Sequence, residues 1–178
     1  MGGTGIYSQD IHTAIERMAS EIYGAHQDVE NLVIVGVAKG GVEIARRLHA
    51  IVSEKMGRII EFGVVDITFH RDDIMLRPIT ADSLNTAIDI DLDDAAVVLV
   101  DDVLFSGRTI RAALNECFDQ GRPDTIELAV LVDREPRKLP ITARYIGFHY
   151  EDHRSGKLEV KLDSAEPSKD IIQFQEEK

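Results

Sequence analysis

Val97-Val98-Leu99-Val100-Asp101-Asp102-Val103-Leu104-Phe105-Ser106-Gly107-Arg108-Thr109 is the stretch that decides the fold. A β-branched apolar run reads as a buried strand, and it ends in two adjacent carboxylates. A short loop of Ser, Gly, Arg and Thr follows, and then a helical pattern opens. In an open α/β sheet, ligands bind in the crevice beyond the carboxyl ends of the strands. Both halves of the stretch suit a sugar phosphate. Asp101 and Asp102 can accept hydrogen bonds from ribose hydroxyls, while Ser106, Thr109 and the N–H groups that open the helix can hold a phosphate. Asp and Ser are common at strand ends and N-caps, so parts of this arise by chance; the whole run, in this order, fits one ligand. The chain has no G-x-x-x-x-G-K-[ST] and no G-x-G-x-x-G after a strand, which argues against a P-loop ATPase or a Rossmann dehydrogenase.

Upstream, Leu32–Val37 has the composition of a buried strand. Ala38-Lys39-Gly40-Gly41 then turns the chain into a helix in which Val42, Ala45, Leu48 and Val52 share a face. Two glycines let the backbone approach a ligand and aim its N–H groups at an anion, and Lys39 adds a positive charge. Taken alone, this piece is an ordinary strand-to-helix turn; beside the acidic stretch it reads as a pyrophosphate loop.

The remaining pattern alternates strands and helices. Residues 8–24 read as a helix, with Ile11, Ile15, Met18 and Ile22 on one face, Ser8 or Asp10 as cap and Gly24 as stop. Residues 59–69 and 126–132 read as further strands, and a helix is expected over 107–120, ending near Gly121 and Pro123. Alternating βα units predict a mainly parallel central sheet flanked by helices, an α/β fold. Leu158-Glu159-Val160-Lys161-Leu162 alternates as an exposed antiparallel strand does. From 70 to 94 the chain is polar and weakly patterned, too long for a plain connection and suited to a functional flap or an extra hairpin.

Composition bounds the answer further. The 178 residues fit a single domain over 1–178, with 44% hydrophobic and 29% charged residues, ordinary for a globular protein. No apolar run is long enough for a membrane span, and the start of the chain lacks a signal-peptide pattern, so a cytoplasmic protein is expected. Cys117, the lone cysteine, falls in a helical pattern and reads as core. The net charge of −12 works against nonspecific nucleic-acid binding. His149 and His153 are four apart, but Gly147 and Gly156 argue against the helix that would turn them toward one metal.

The acidic stretch resembles the phosphoribosyl-pyrophosphate (PRPP) signature of type I phosphoribosyltransferases. Val65-Asp66-Ile67-Thr68-Phe69-His70-Arg71-Asp72-Asp73, Gly121-Arg122-Pro123, Leu128-Ala129-Val130-Leu131-Val132-Asp133-Arg134, Leu139-Pro140-Ile141 and Tyr145-Ile146-Gly147 are similar to the PyrR family. The match runs over about residues 8–147. That family comprises uracil phosphoribosyltransferases, some of which also attenuate pyrimidine operons by binding RNA.

The resemblance implies a type I phosphoribosyltransferase fold with a flexible flap over about 70–94 and a small hood from about 134 to 178. It implies that Lys39, Gly40 and Gly41 bind pyrophosphate, that Asp101 and Asp102 hold the ribose, and that Val103, Leu104, Phe105, Ser106, Gly107, Arg108 and Thr109 hold the 5′-phosphate. Arg71 on the flap, with Asp72, Asp73 and Arg77, would close over the leaving pyrophosphate. Val132 and Asp133 would read the base, and Arg134 would reach PRPP. Catalysis would then rest on Asp101, Asp102, Arg71 and Lys39. Mg²⁺ is the implied cofactor, held mainly through PRPP, because consecutive strand residues such as Asp101 and Asp102 point to opposite faces. The implied partners are PRPP, uracil, UMP, pyrophosphate and further copies of the chain.

Two departures open rival readings. Lys39-Gly40-Gly41 stands where PyrR usually has Thr-Arg-Gly and is closer to the hypoxanthine-guanine enzymes, while Phe148-His149-Tyr150-Glu151-Asp152-His153 departs from the family hood. A purine base is therefore the rival substrate. The second rival is an RNA-binding attenuator with little catalysis. The positions matching the family's RNA contacts are Glu16, Arg17, Ser20, Pro136, Arg137, Thr142 and Phe148, of which only Arg17 and Arg137 are basic, so RNA is disfavoured. A sensor that binds PRPP without turnover is the third, against which the intact stretch from Asp101 to Thr109 argues.

Overall fold

The computed structural model describes residues 5–38, 40–67, 90–150 and 156–175. Two sheets organise them. The larger holds β2 (Leu32–Val37), β3 (Glu61–Val65), β4 (Ala96–Leu104), β5 (Thr125–Arg134) and β6 (Tyr145–Tyr150), in the order β3-β2-β4-β5-β6. Every neighbouring pair in it is parallel. The smaller is antiparallel, with β1 (Ile6–Tyr7) and β7 (Lys157–Lys161) on either side of β8 (Ile171–Gln175).

Parallel strands must be buried on both faces, and β2 is buried at every position. Helices α1 (Ser8–His26) and α2 (Gly41–Met56) cover one face through Ile11, Ile15, Met18, Ile22, Ile44 and Leu48. Helix α3 (Arg108–Asp119) covers the other through Ile110, Ala113 and Cys117, with Leu92 beside it. Chain order puts α2 between β2 and β3, and α3 between β4 and β5. The sheet therefore grows outward in opposite directions from the β2–β4 pair. That pair is the topological switch point, where an open α/β sheet forms its ligand crevice. The two loops that leave it are the two picked out in the sequence, at 38–41 and 105–107.

The antiparallel sheet sits over the same end of the large sheet. Arg134, the last residue of β5, donates from Nη1 to the carbonyl of Gly156 at 2.8 Å, and its guanidinium lies 5.8 Å from the Phe174 ring on β8. A buried ion network docks it from behind. The Asp170 carboxylate receives Arg47 of α2 and the Asp163 N–H at 2.8 Å, and lies 3.2 Å from His12 Nε2 of α1. At the opposite, amino-terminal end of the large sheet, the Tyr145 hydroxyl donates to Glu127 at 2.6 Å, and His26 Nε2 lies 2.9 Å from the same carboxylate.

Several boundaries differ from the sequence reading. Gly24 does not stop α1, which continues to His26, and neither Ser8 nor Asp10 caps it; Tyr7 is the N-cap, without a side-chain bond. The third strand is confined to Glu61–Val65, and Ile59 is 87% exposed. The far end of the 70–94 segment belongs to the framework, since Leu92 is fully buried and its N–H donates to Gln120 at 3.1 Å. The hood gains a strand from the start of the chain, β1, and its own β8 had no clear alternation to announce it. Residues 68–89, which include the flap positions Arg71, Asp72, Asp73 and Arg77, and residues 151–155, which include Glu151, Asp152 and His153, lie outside the described residues.

Candidate active site

The strand of the acidic stretch runs further than its apolar part. β4 continues through Asp101 and Asp102 to Leu104, and it stays paired with β5 as far as Leu104 opposite Asp133. The carboxylates therefore sit on the last turns of a rigid ladder rather than on a loop beyond it. Asp101 is buried, and its Oδ1 accepts the Asp102 N–H at 2.9 Å; Asp102 is half-buried, and its Oδ1 accepts the Val103 N–H at 2.8 Å. Burial, reinforced by the charge of Asp102, holds the Asp101 carboxyl well above the usual aspartate pKa of 3.8. A carboxyl perturbed in this way in a ligand crevice is a mark of a functional group.

The loop after β2 is pressed against these acids. A β-carbon at Gly41 would run into the Val100 carbonyl and stand 2.9 Å from the Asp101 Cα. One at Gly40 would overlap the Asp102 carboxyl group. At Gly41 the β4 backbone itself occupies the space a side chain needs, whereas at Gly40 the obstacle is the end of the Asp102 side chain. Lys39, next in line, lies outside the described residues.

The loop after β4 has the shape expected for a phosphate cradle. Gly107 adopts φ +86° as the N-cap of α3, and Ser106 Oγ accepts the Arg108 N–H at 3.3 Å. The N-cap residue offers no side-chain bond and the first turn holds no acid, so beyond Arg108 the leading N–H groups of α3 are left to an anion. Phe105 is 40% exposed and Arg108 is exposed, both at the mouth.

Beside this loop, β5 carries the residues read as the base end. Val132 and Asp133 lie in register with Val103 and Leu104 on one side and with Phe148 and His149 on the other. Val132 is buried, which leaves its backbone as the part able to meet a ligand. The Asp133 carboxylate pairs with Arg137, and His149 Nδ1 lies 3.9 Å from its other oxygen. Arg134 leaves from the opposite side of the strand. It is 7% exposed, with its guanidinium 4.7 Å from the Phe105 ring, so it braces the loop after β4 against the antiparallel sheet.

Asp133 finds its ion-pair partner in Arg137, four residues on. That partner was legible only as a basic position. Phe174 was not picked out at all, and Tyr150 only as part of the segment that departs from the family hood; the two rings stack with centroids 6.3 Å apart behind Arg134, come from two sheets and share no local motif.

The crevice defined by these two loops and the parallel sheet is that of a phosphoribosyltransferase, and residues 5–164 match the phosphoribosyl transferase domain family. Type I architecture is borne out by solved structures. A hypoxanthine phosphoribosyltransferase from Trypanosoma cruzi superimposes with a TM-score of 0.72 over 97% of this chain and 96% of its own, at 17% identity. A purine phosphoribosyltransferase from Pyrococcus horikoshii does so with a TM-score of 0.61 over 82% and 86%, at 26% identity. Within the class, the chain belongs to the PyrR family. It is 44% identical over 168 residues to the bifunctional protein PyrR of Desulfosudis oleivorans, covering 92% of this chain and 91% of that one. To its counterpart in Deinococcus radiodurans it is 41% identical over 174 residues, covering 96% and 93%.

Proposed function

We propose that this protein transfers the phosphoribosyl group of PRPP to uracil, giving UMP and pyrophosphate. The observation that carries the reading is the contact of the 40–41 turn with Asp101 and Asp102 at the switch point, beside the open N-terminus of α3. Such a crevice seats a diphosphate, a ribose and a 5′-phosphate side by side.

In the reaction the C1′–O bond to pyrophosphate breaks, the bond from C1′ to N1 of uracil forms, and the N1 proton leaves. Positive charge grows on the ribose ring as pyrophosphate departs. Asp101 and Asp102 accept the ribose hydroxyls and face that charge. The Gly40 and Gly41 amides, with Lys39 and the flap residue Arg71, receive the leaving group. Residues 105–109 hold the 5′-phosphate away from the reacting carbon, and Val132 and Asp133 set the base against C1′. Closure of a flap carrying Arg71, Asp72, Asp73 and Arg77 would exclude water from the ribosyl cation.

Mg²⁺ fits this donor set. Asp101 and Asp102 offer hard oxygens, and among the described residues no cluster of three or more ligating side chains is present, so the ion would take most of its ligands from PRPP and water. When bound it supplies neutralising charge to the diphosphate.

Pyrophosphate release with PRPP, Mg²⁺ and each of uracil, hypoxanthine and guanine tests the proposal. Turnover with uracil that Asp101→Asn abolishes supports it. Turnover with a purine alone would move the substrate to the class handled by the Pyrococcus horikoshii enzyme, a reading that the Gly40-Gly41 turn and the unusual Phe148-His149-Tyr150 hood favour.

Pyrimidine-operon regulation through RNA is the second reading, and membership of a family of proteins named bifunctional favours it. The two basic positions assigned to it are occupied within the fold. Arg17 donates to the carbonyls of Ile146 at 2.9 Å and Gly147 at 2.7 Å, and Arg137 is held as described below. A gel shift against a pyrimidine-operon leader across a salt series decides it, absence of specific binding at low salt removing the RNA role.

A further inference from the structure

Arg137 was singled out in the sequence only as a basic surface position, yet its guanidinium makes contacts in every direction. Nε donates to the Ile141 carbonyl at 3.1 Å. Nη1 donates to the carbonyls of Arg134 at 2.7 Å, Leu104 at 3.1 Å and Phe105 at 3.3 Å. Nη2 pairs with the Asp133 carboxylate. Two of these acceptors close β5, one lies on the stretch beyond it, and two lie where β4 becomes the phosphate loop.

The backbone repeats the connection. The N–H groups of Lys138 and Leu139 both donate to the Ser106 carbonyl at 3.1 Å. Leu139 and Ile141 pack over Gly107, where an added β-carbon would stand 3.3 and 3.4 Å from them. The segment 134–141 thus folds over the loop 104–107.

We propose that Arg137 is a positioning residue, which locks the 5′-phosphate loop and the base-end carboxylate of Asp133 into one rigid piece. The inference rests on the reading of residues 105–109 as the phosphate loop and of Asp133 as the base end. Its consequence is geometric. The phosphate anchor and the base must be fixed relative to each other for C1′ to meet the attacking nitrogen; the β4–β5 ladder does this only as far as Leu104 opposite Asp133, and beyond it the loop is tied by Arg137 and the Lys138 and Leu139 N–H groups. The planar fork of an arginine can serve one carboxylate and several carbonyls at once; a lysine ammonium has three donors at a single point and cannot span them.

The test measures equilibrium binding of PRPP with Mg²⁺ and steady-state kinetics for the unmodified protein, Arg137→Gln, Arg137→Lys and Arg144→Gln, each beside its thermal midpoint. Arg144 is a structural control, an exposed arginine paired with Glu127 at the far end of the sheet. Both Arg137 variants are expected to bind PRPP about tenfold or more weakly and to lose kcat as well, since small misplacements of bound groups are costly. Arg144→Gln should shift only the midpoint. Arg137 variants that lower the midpoint yet keep PRPP affinity and kcat would overturn the proposal, as would a loss confined to RNA binding.

Amide hydrogen exchange on the unmodified protein gives a reading that does not depend on a variant folding. PRPP should slow exchange at Lys138 and Leu139, whose acceptor is Ser106; unchanged exchange there, with PRPP bound, would overturn the inference. An unmodified protein that fails to bind PRPP would overturn both this inference and the proposed function, whereas the variant outcomes bear on Arg137 alone.

Discussion

Gly40 faces the carboxyl group of Asp102 with no room for a methyl group between them, and its neighbour Gly41 stands in the same relation to the β4 backbone at Val100 and Asp101. The two glycines meet obstacles of different stiffness, and so predict different outcomes. Gly40→Ala displaces the end of a side chain, which can swing, so the fold should survive while Asp102 is pushed off its place. Pyrophosphate release should fall by about two orders of magnitude, the cost expected of an ångström-scale misplacement. Gly41→Ala drives a methyl into backbone, which cannot move without disturbing the β2–β4 ladder. A loss of about 1–3 kcal/mol in a urea titration is expected there, as for other overpacked sites. Equal stabilities for the two variants would count against this account.

Asp170 predicts an acid-sensitive hood. Burial works against its charge, but hydrogen bonds from Arg47 and the Asp163 N–H, together with the Arg47 charge, outweigh it and hold its pKa below the usual 3.8. A carboxyl whose folded pKa is depressed contributes stability that is present above its unfolded pKa and lost as pH falls through the folded one. Asp170→Ala should cost about 3–5 kcal/mol at neutral pH, because Arg47 loses its buried partner. The gap between variant and parent in denaturant midpoint should narrow below pH 3.8. A gap that is constant with pH would mean that packing, not charge, carries the effect.

Cys117 should be chemically silent in the native state. It is fully buried on the inner face of α3, and burial pushes its thiol pKa up to about 12, which leaves little thiolate at neutral pH. Reaction with a thiol reagent should therefore follow global unfolding and accelerate with denaturant. Rapid labelling in buffer would show that α3 opens locally, and with it the phosphate loop at its head.

How much of this was legible in the sequence depends on whether the signal was local. β2 was read to the residue, because a fully buried parallel strand is a continuous apolar run, and the start of α2 was read from its apolar face, with no end assigned to it. The two loops at the switch point stood out because their residue types are distinctive within a few positions. What escaped is what depends on distant partners. Ile59 is apolar yet exposed, and Leu92 lies in a polar stretch yet is buried beneath α3, since packing rather than composition decides both. β1 is two residues long and becomes a strand only against β8. Arg137 looked like surface charge because its acceptors are mainly carbonyls, which leave no mark in a sequence.

Asp101 carries the last prediction, and its sign is opposite to that of Asp170. Burial, and then the charge of Asp102, raise its folded pKa well above 3.8. The folded state therefore binds more protons than the unfolded one in the interval between the two pKa values, and stability falls as pH rises through that interval. Asp101→Asn removes the charge and keeps the size, so the variant should be more stable than the parent at neutral pH, with the advantage vanishing below pH 3.8. It should also be inactive, since an amide cannot offer a charged acceptor to the ribose hydroxyls. Ligand binding tests the same sign independently. If PRPP is held by the ionised form, binding at a pH between the two pKa values must expel the proton from Asp101, so a calorimetric pH series in buffers of different ionisation heat should show an interval of proton release that Asp101→Asn abolishes. Proton uptake, or release that persists in the variant, would place the titrating group elsewhere in the crevice.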